Sequence, residues 1–123
     1  MRDNWKNALL GPSATIKDAV EVLTRSSMRI VLVIDNDNGL RGTVTDGDIR
    51  RGLMRGLSME TRIDSIMETN PVTVSSAENR QKIIQVMRRE DLLQVPVVNP
   101  DGTVVGLEIL QDLIYGEKKD NPV

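Results

Sequence analysis

Apolar positions follow two rhythms along the chain, one of period near 3.6 and one nearly continuous, and the same order of rhythms occurs twice. Ile16, Ala19, Val20 and Leu23 stand at i, i+3, i+4 and i+7, which is one face of a helix. Thr15, or Ser13 before it, is placed to cap that helix. The run IVLVID comes next, rich in β-branched side chains, and predicts a buried strand. Residues 36–39 predict a turn, with Asn38-Gly39 supplying the positive φ of a tight reversal. A second strand over 40–44 completes a hairpin, and a helix over about 46–54 stops near Gly56. Leu9-Leu10 would be a short first strand.

Displacing the sequence on itself by the 64 residues that separate Asp48 from Asp112 lays apolar on apolar without a gap. Val31 falls on Val95, Val33 on Val97, Leu40 on Val104, Gly42 on Gly106 and Ile49 on Leu113. The second copy therefore predicts a strand over 72–74, a helix over 78–89, strands over 95–98 and 103–107, and a last helix over 110–115. The fold class is α/β (α+β), with two β-α-β-β-α units. One unit of about 50 residues buries too little surface to stand comfortably alone, so the two are expected to pack sheet to sheet about a pseudo-two-fold axis. The organisation reads as an N-terminal helix over 1–8, a first repeat over 9–57 and a connector over 58–69 with a helical turn at 63–67. A second repeat follows over 70–116, and 117–123 reads as a linker toward a further domain.

Composition narrows the chemistry. Of 123 residues, 39 % are hydrophobic and 28 % charged, which suits a folded globular protein. Phe is absent, and Trp and Tyr occur once each, so the core must be aliphatic. Neither Cys nor His occurs, which removes disulfides, Cys/His zinc sites and the common nucleophile-base pairs. No catalytic residues, metal site or required cofactor is read from the chain. A net charge of −2 and the lack of aromatic stacking platforms argue against nucleic acid as a partner. No apolar run approaches the roughly 20 residues that span a bilayer, and no signal peptide is visible, so a cytoplasmic protein without membrane contact is expected.

The doubled unit carries a hydrophobic strand, an Asp/Asn-Gly turn and a Gly-h-h-Thr/Ser-x-x-Asp-h segment, where h is apolar. The first copy reads IVLVIDNDNGLRGTVTDGDI and the second VPVVNPDGTVVGLEILQDL, and TNPVTV precedes the second. These residues, in this order and duplicated over about 9–115, resemble a tandem pair of CBS domains. The resemblance implies a regulatory module with two equivalent clefts between the repeats. Such modules bind adenosyl nucleotides (AMP, ADP, ATP), report occupancy to an attached enzyme and form homodimers.

Carried onto this sequence, the resemblance places Asp48 at the ribose hydroxyls, where a charged acceptor makes the stronger hydrogen bond. Thr45 would face a phosphate at the start of the second helix, and Thr43 would line the same floor. Pro71, Val72, Leu93, Gln94 and Val95 of the partner repeat would grip the base. Thr45-x-x-Asp48 is equally a helix-capping arrangement that needs no ligand. Arg50, Arg51 and Arg55 read either as phosphate contacts or as a solvated helix face. The second cleft departs from the pattern. Asp112 is kept, but Ile109 stands at the Thr position, and the partner surface would be Arg29, Ile30 and Val31, so a weaker site is expected there. The N-terminal placement of the pair and the ending DNPV are similar to CBS pairs that precede a sugar-phosphate nucleotidyltransferase domain. A structural dimerisation module without tight ligand binding is the alternative.

Overall fold

The computed structural model describes residues 3–119, with side chains described for 4–115. A 3-10 segment, Asp3–Ala8, leads into β1 (Leu9–Leu10), α1 (Ile16–Ser26), β2 (Val31–Ile34), β3 (Leu40–Val44) and α2 (Asp46–Met54). A 3-10 turn, Ile63–Ser65, sits in the connector. The second repeat comprises β4 (Val74–Ser75), α3 (Arg80–Arg89), β5 (Gln94–Val98), β6 (Val104–Ile109) and α4 (Leu110–Lys119). Each repeat forms a three-stranded sheet, ordered β1-β2-β3 and β4-β5-β6. In each, the short first strand runs parallel to the next, and the last two form an antiparallel hairpin.

The internal repeat extends to backbone detail. Thr15 caps α1 and Asn79, 64 positions later, caps α3. Leu10 pairs with Val33 as Val74 pairs with Val97, and the bulges at Val33/Ile34 and Val97/Val98 correspond. Left-handed residues correspond too: Ser27 matches Asp91, and Asn38 matches Gly102. Each is a site where a helix ends or a hairpin reverses, and the shared conformation shows that both copies solve the same steric problem.

Alternation within β2 explains why its sequence is apolar throughout. Val31 and Val33 face the helices of their own repeat, packing with Ile16, Ala19 and Val22. Ile30 and Leu32 face the other repeat, packing with Val104 and Leu107. The strand is thus buried on both faces. A third cluster, including Ile83, Met87, Val95 and Val97, fills the second repeat. The hairpin tips lock together through two symmetric hydrogen bonds, Leu40 N to Gly102 O at 3.1 Å and Val104 N to Asn38 O at 2.9 Å.

Several boundaries differ from the sequence reading: β5 starts one residue earlier, at Gln94, and β6 is shifted to Val104–Ile109. The first strand of the second repeat is Val74–Ser75 rather than 72–74, because only these two residues reach partners on β5. Helix α3 begins at Arg80, where the Asn79 side chain accepts from Lys82 N at 2.8 Å. Helix α4 continues past Tyr115 to Lys119, and residues 120–123 of the expected linker lie outside the described residues.

The second hairpin carries a pH-dependent contact. The Thr103 hydroxyl and amide both donate to Asp101, the amide at 2.9 Å, and hold its carboxyl below the ordinary value. A carboxylate with a lowered folded value stabilises the fold above its unfolded value, and the contribution is lost as pH falls through the folded one. Thr103→Val removes the hydroxyl donor. In an NMR titration of the Asp101 side chain, its midpoint is expected to move up toward the ordinary value.

Candidate functional site

A cavity of about 260 Å³ lies between the repeats. Its floor is Thr43, at the end of β3, and Thr45, the N-cap of α2. The connector builds one wall with Glu68, Pro71 and Val72, and the second repeat builds the other with Leu92, Gln94 and Pro96. The floor is held from below by the connector. Thr43 N donates to Glu68 O at 3.0 Å, and Glu68 N donates back to Thr43 O at 2.8 Å. The lining is mostly apolar, with hydroxyls at the floor, amides at Asn70 and Gln94 and a single carboxylate at Glu68. Apolar walls with a few polar groups at the floor are the general make-up of a small-molecule site.

Of the residues expected at this cleft, Thr43, Thr45, Pro71, Val72 and Gln94 come together in the cavity. Leu93 is exposed and lines a neighbouring cavity of about 240 Å³ with Arg29, Ile109 and Gln111, to which Gln94 also contributes. Val95 is fully buried among the core side chains of the second repeat. Period-two alternation accounts for this: Gln94 and Pro96 reach the cleft from one face of β5, and Val95 lies on the other.

Asp48 sits at the edge of the cleft and forms a capping box with Thr45. Its Oδ2 accepts from Thr45 N at 2.9 Å and from the Thr45 hydroxyl at 3.1 Å. Its Oδ1 accepts from Arg51 at 2.7 Å. The carboxylate lines a separate cavity of about 520 Å³ with Arg51, Met54, Arg55 and Ile66. Thr45 lines the first cavity and Asp48 the second, and the hydrogen bonds between them link the two linings.

The second cleft is different in kind. At the 64-residue offset, Val72, Leu92, Pro96 and Thr43 correspond to Ala8, Met28, Leu32 and Leu107. These four are at most 1 % exposed and pack into the cluster between the sheets, and the cavity that remains on this side is the one of about 240 Å³ lined by Met28, Arg29, Ile109 and Gln111. Ile30 lines the first cleft rather than the second. Arg29 is exposed, with a left-handed φ of 64°. Asp112 lies in the first turn of α4. Among the described residues no group of three or more acidic side chains is arranged to hold a metal, and no helix is long and apolar enough to cross a membrane.

The sequence reading did not name Glu68, Leu92 or Pro96. Leu92 lies within the left-handed break after α3 and Pro96 within a strand, where proline is uncommon and marks a position that gives no ladder donor. Glu68 carries no local signal, since only its backbone pairing with Thr43 brings it to the cleft.

The chain spans about a third of the length of the curated relatives it matches. The arabinose 5-phosphate isomerase GutQ of Shigella flexneri is 30 % identical over 100 residues, covering 81 % of this chain and 31 % of that one. The arabinose 5-phosphate isomerase KdsD of Pseudomonas aeruginosa is 32 % identical over 107 residues, covering 86 % and 32 %. Among solved structures, the CBS domain protein PAE2072 from Pyrobaculum aerophilum, complexed with AMP, superposes with a TM-score of 0.77 at 24 % identity, covering 88 % of this chain and 83 % of that one. CBSX2 in complex with AMP gives 0.80 at 21 %, covering 94 % and 90 %. The CBS domain family model matches residues 6–55 and 63–107, one match for each repeat. The chain belongs to the CBS domain family and is a tandem pair of its units.

Proposed function

We propose that this pair is a regulatory module that binds an adenosine nucleotide in the first cleft and carries no catalysis itself. The observation that carries the reading is a cavity walled by both repeats, with Thr43 and Thr45 on one side and Gln94 and Pro96 on the other. A ligand seated there touches both repeats and so favours one arrangement of them. Any partner domain that prefers that arrangement gains by the same coupling free energy. The structural neighbours solved with AMP support the ligand class. Asp48 takes the ribose hydroxyls, Thr45 the first phosphate, and Pro71, Val72 and Gln94 the base, with Leu93 and the Val95 backbone at the margin. One nucleotide binds per chain, because the side of the smaller cavity, at Arg29, has Leu107 and Ile109 where the first cleft has the hydroxyls of Thr43 and Thr45.

The enzyme served acts on a sugar phosphate. The resemblance in the sequence points to a nucleotidyltransferase and the relatives' names to an isomerase, and both chemistries share that substrate class. The module works as a homodimer.

A thermal-shift series with AMP, ADP, ATP and S-adenosylmethionine tests the reading. At a hundredfold excess over Kd, binding to the folded state adds about 2.7 kcal/mol, or roughly 10 °C in Tm for a domain of this size. The rise is expected for at least one nucleotide, at a calorimetric stoichiometry of one, and is expected to vanish in Asp48→Ala. No rise with any of them at millimolar concentration would instead leave the structural dimerisation module.

A further inference from the structure

The carboxylate that this reading assigns to the ribose is already engaged. Arg51 reaches back one turn along α2 and donates to Asp48 Oδ1 at 2.7 Å, while Thr45 holds Oδ2. The Asp48 side chain is 15 % exposed, whereas that of Arg51 is 67 % exposed, so the guanidinium is a movable cover over a partly buried acceptor. Gly47 gives it room. A Cβ there would stand 3.1 Å from the guanidinium nitrogen.

Helix capping does not require this arrangement. The other Thr-x-x-Asp box, Thr15 to Asp18, closes with its own two hydrogen bonds, and the position equivalent to Arg51 there is the carboxylate Glu21. Nor does the helix dipole favour a cation folded over the first turn, where the amides already carry positive charge. The second repeat replaces the set together: Thr45, Gly47 and Arg51 become Ile109, Gln111 and Tyr115 at the same offset. The arginine thus accompanies the cleft that has Thr45 at its floor and is missing from the one that has Ile109.

We infer that Arg51 is an exchange latch that makes the cleft select phosphorylated ligands: it occupies Asp48 when the cleft is empty, and moves to the ligand's phosphate when the ribose takes its place. The inference rests on the nucleotide reading above. A ribose diol that donates to Oδ1 must displace the guanidinium. A nucleotide offers the displaced arginine a phosphate, and a charge-assisted bond replaces the one broken. A nucleoside offers nothing, and breaks the pair without compensation. Arg55, which lines the same cavity, adds a second cation on the path of a longer phosphate chain.

The test is isothermal titration of AMP and of adenosine into the wild-type chain and into Arg51→Gln, with Arg51→Lys as the charge-preserving variant. Arg51 is largely exposed, so these variants are expected to fold, which circular dichroism checks. In Arg51→Gln the preference for AMP over adenosine is expected to fall about tenfold, the change of one charge-assisted contact, with adenosine bound no more weakly than before. Arg51→Lys should retain part of the preference. Equal loss of both ligands in Arg51→Gln, or an unchanged preference, overturns the latch and leaves the nucleotide reading standing. A wild-type chain that takes none of AMP, ADP, ATP and adenosine overturns both.

Discussion

Gly42→Ala is expected to cost about 2–4 kcal/mol and to lower Tm by roughly 10–15 °C, although it adds a single methyl group. Gly42 lies in β3, buried beneath the connector. A Cβ at this position would stand 2.6 Å from the Glu68 carbonyl oxygen and 2.8 Å from the Met67 sulfur. The sulfur can swing away, but the carbonyl is backbone and is itself bonded to Thr43 N. Relief must come from lifting the connector off β3, which breaks the paired hydrogen bonds between Thr43 and Glu68. Each has a net worth of about 1 kcal/mol, and the rest of the loss is overpacking. Urea denaturation measures the total. Hydrogen exchange gives the location: the Thr43 and Glu68 amides should exchange faster than those of α3. Gly11→Ala is the control, since a Cβ there meets nothing within 4 Å, and it should be neutral or slightly stabilising.

That glycine illustrates what the sequence made legible and what it did not. The repeat, the helix faces and the hairpins all rest on local periodicity, which a single chain displays directly. The Asn38-Gly39 turn was legible for the same reason, with the left-handed φ falling on Asn38 itself. Gly42 could be matched to Gly106 across the repeats, but its reason lies in Glu68, a contact between segments that no local pattern encodes. The candidate site divides in the same way. Thr43, Thr45, Pro71, Val72 and Gln94 are near the ends of elements, and the repeat fixes those ends. Asp48 was legible as an acceptor, whereas its partner Arg51 stood among three arginines with nothing in the sequence to separate them. The departure of the second cleft was legible only as Ile109 in place of a threonine. Its physical cause, Met28, Leu32 and Leu107 meeting between the sheets, needs the three-dimensional arrangement.

Leu32→Ala tests that packed side, and is expected to cost about 2.5–4 kcal/mol, lowering Tm by roughly 10–15 °C. Leu32 is fully buried and packs between the sheets with Met28 and Leu107. Truncation leaves a void in a cluster whose members come from the N-terminal segment and both sheets, so no single element can shift to close it. The counterpart of Leu32 across the pseudo-axis is Pro96, which lines the first cleft. The two sides therefore differ: Pro96 borders a cavity, whereas Leu32 is packed into the core that holds the repeats together. On this account Leu32→Ala loses stability but keeps the receptor. Its Tm falls, while the further rise on adding the nucleotide that stabilises the wild type remains of similar size. A small loss of stability accompanied by loss of the ligand-induced rise would reverse the assignment and make the Leu32 side the binding cleft.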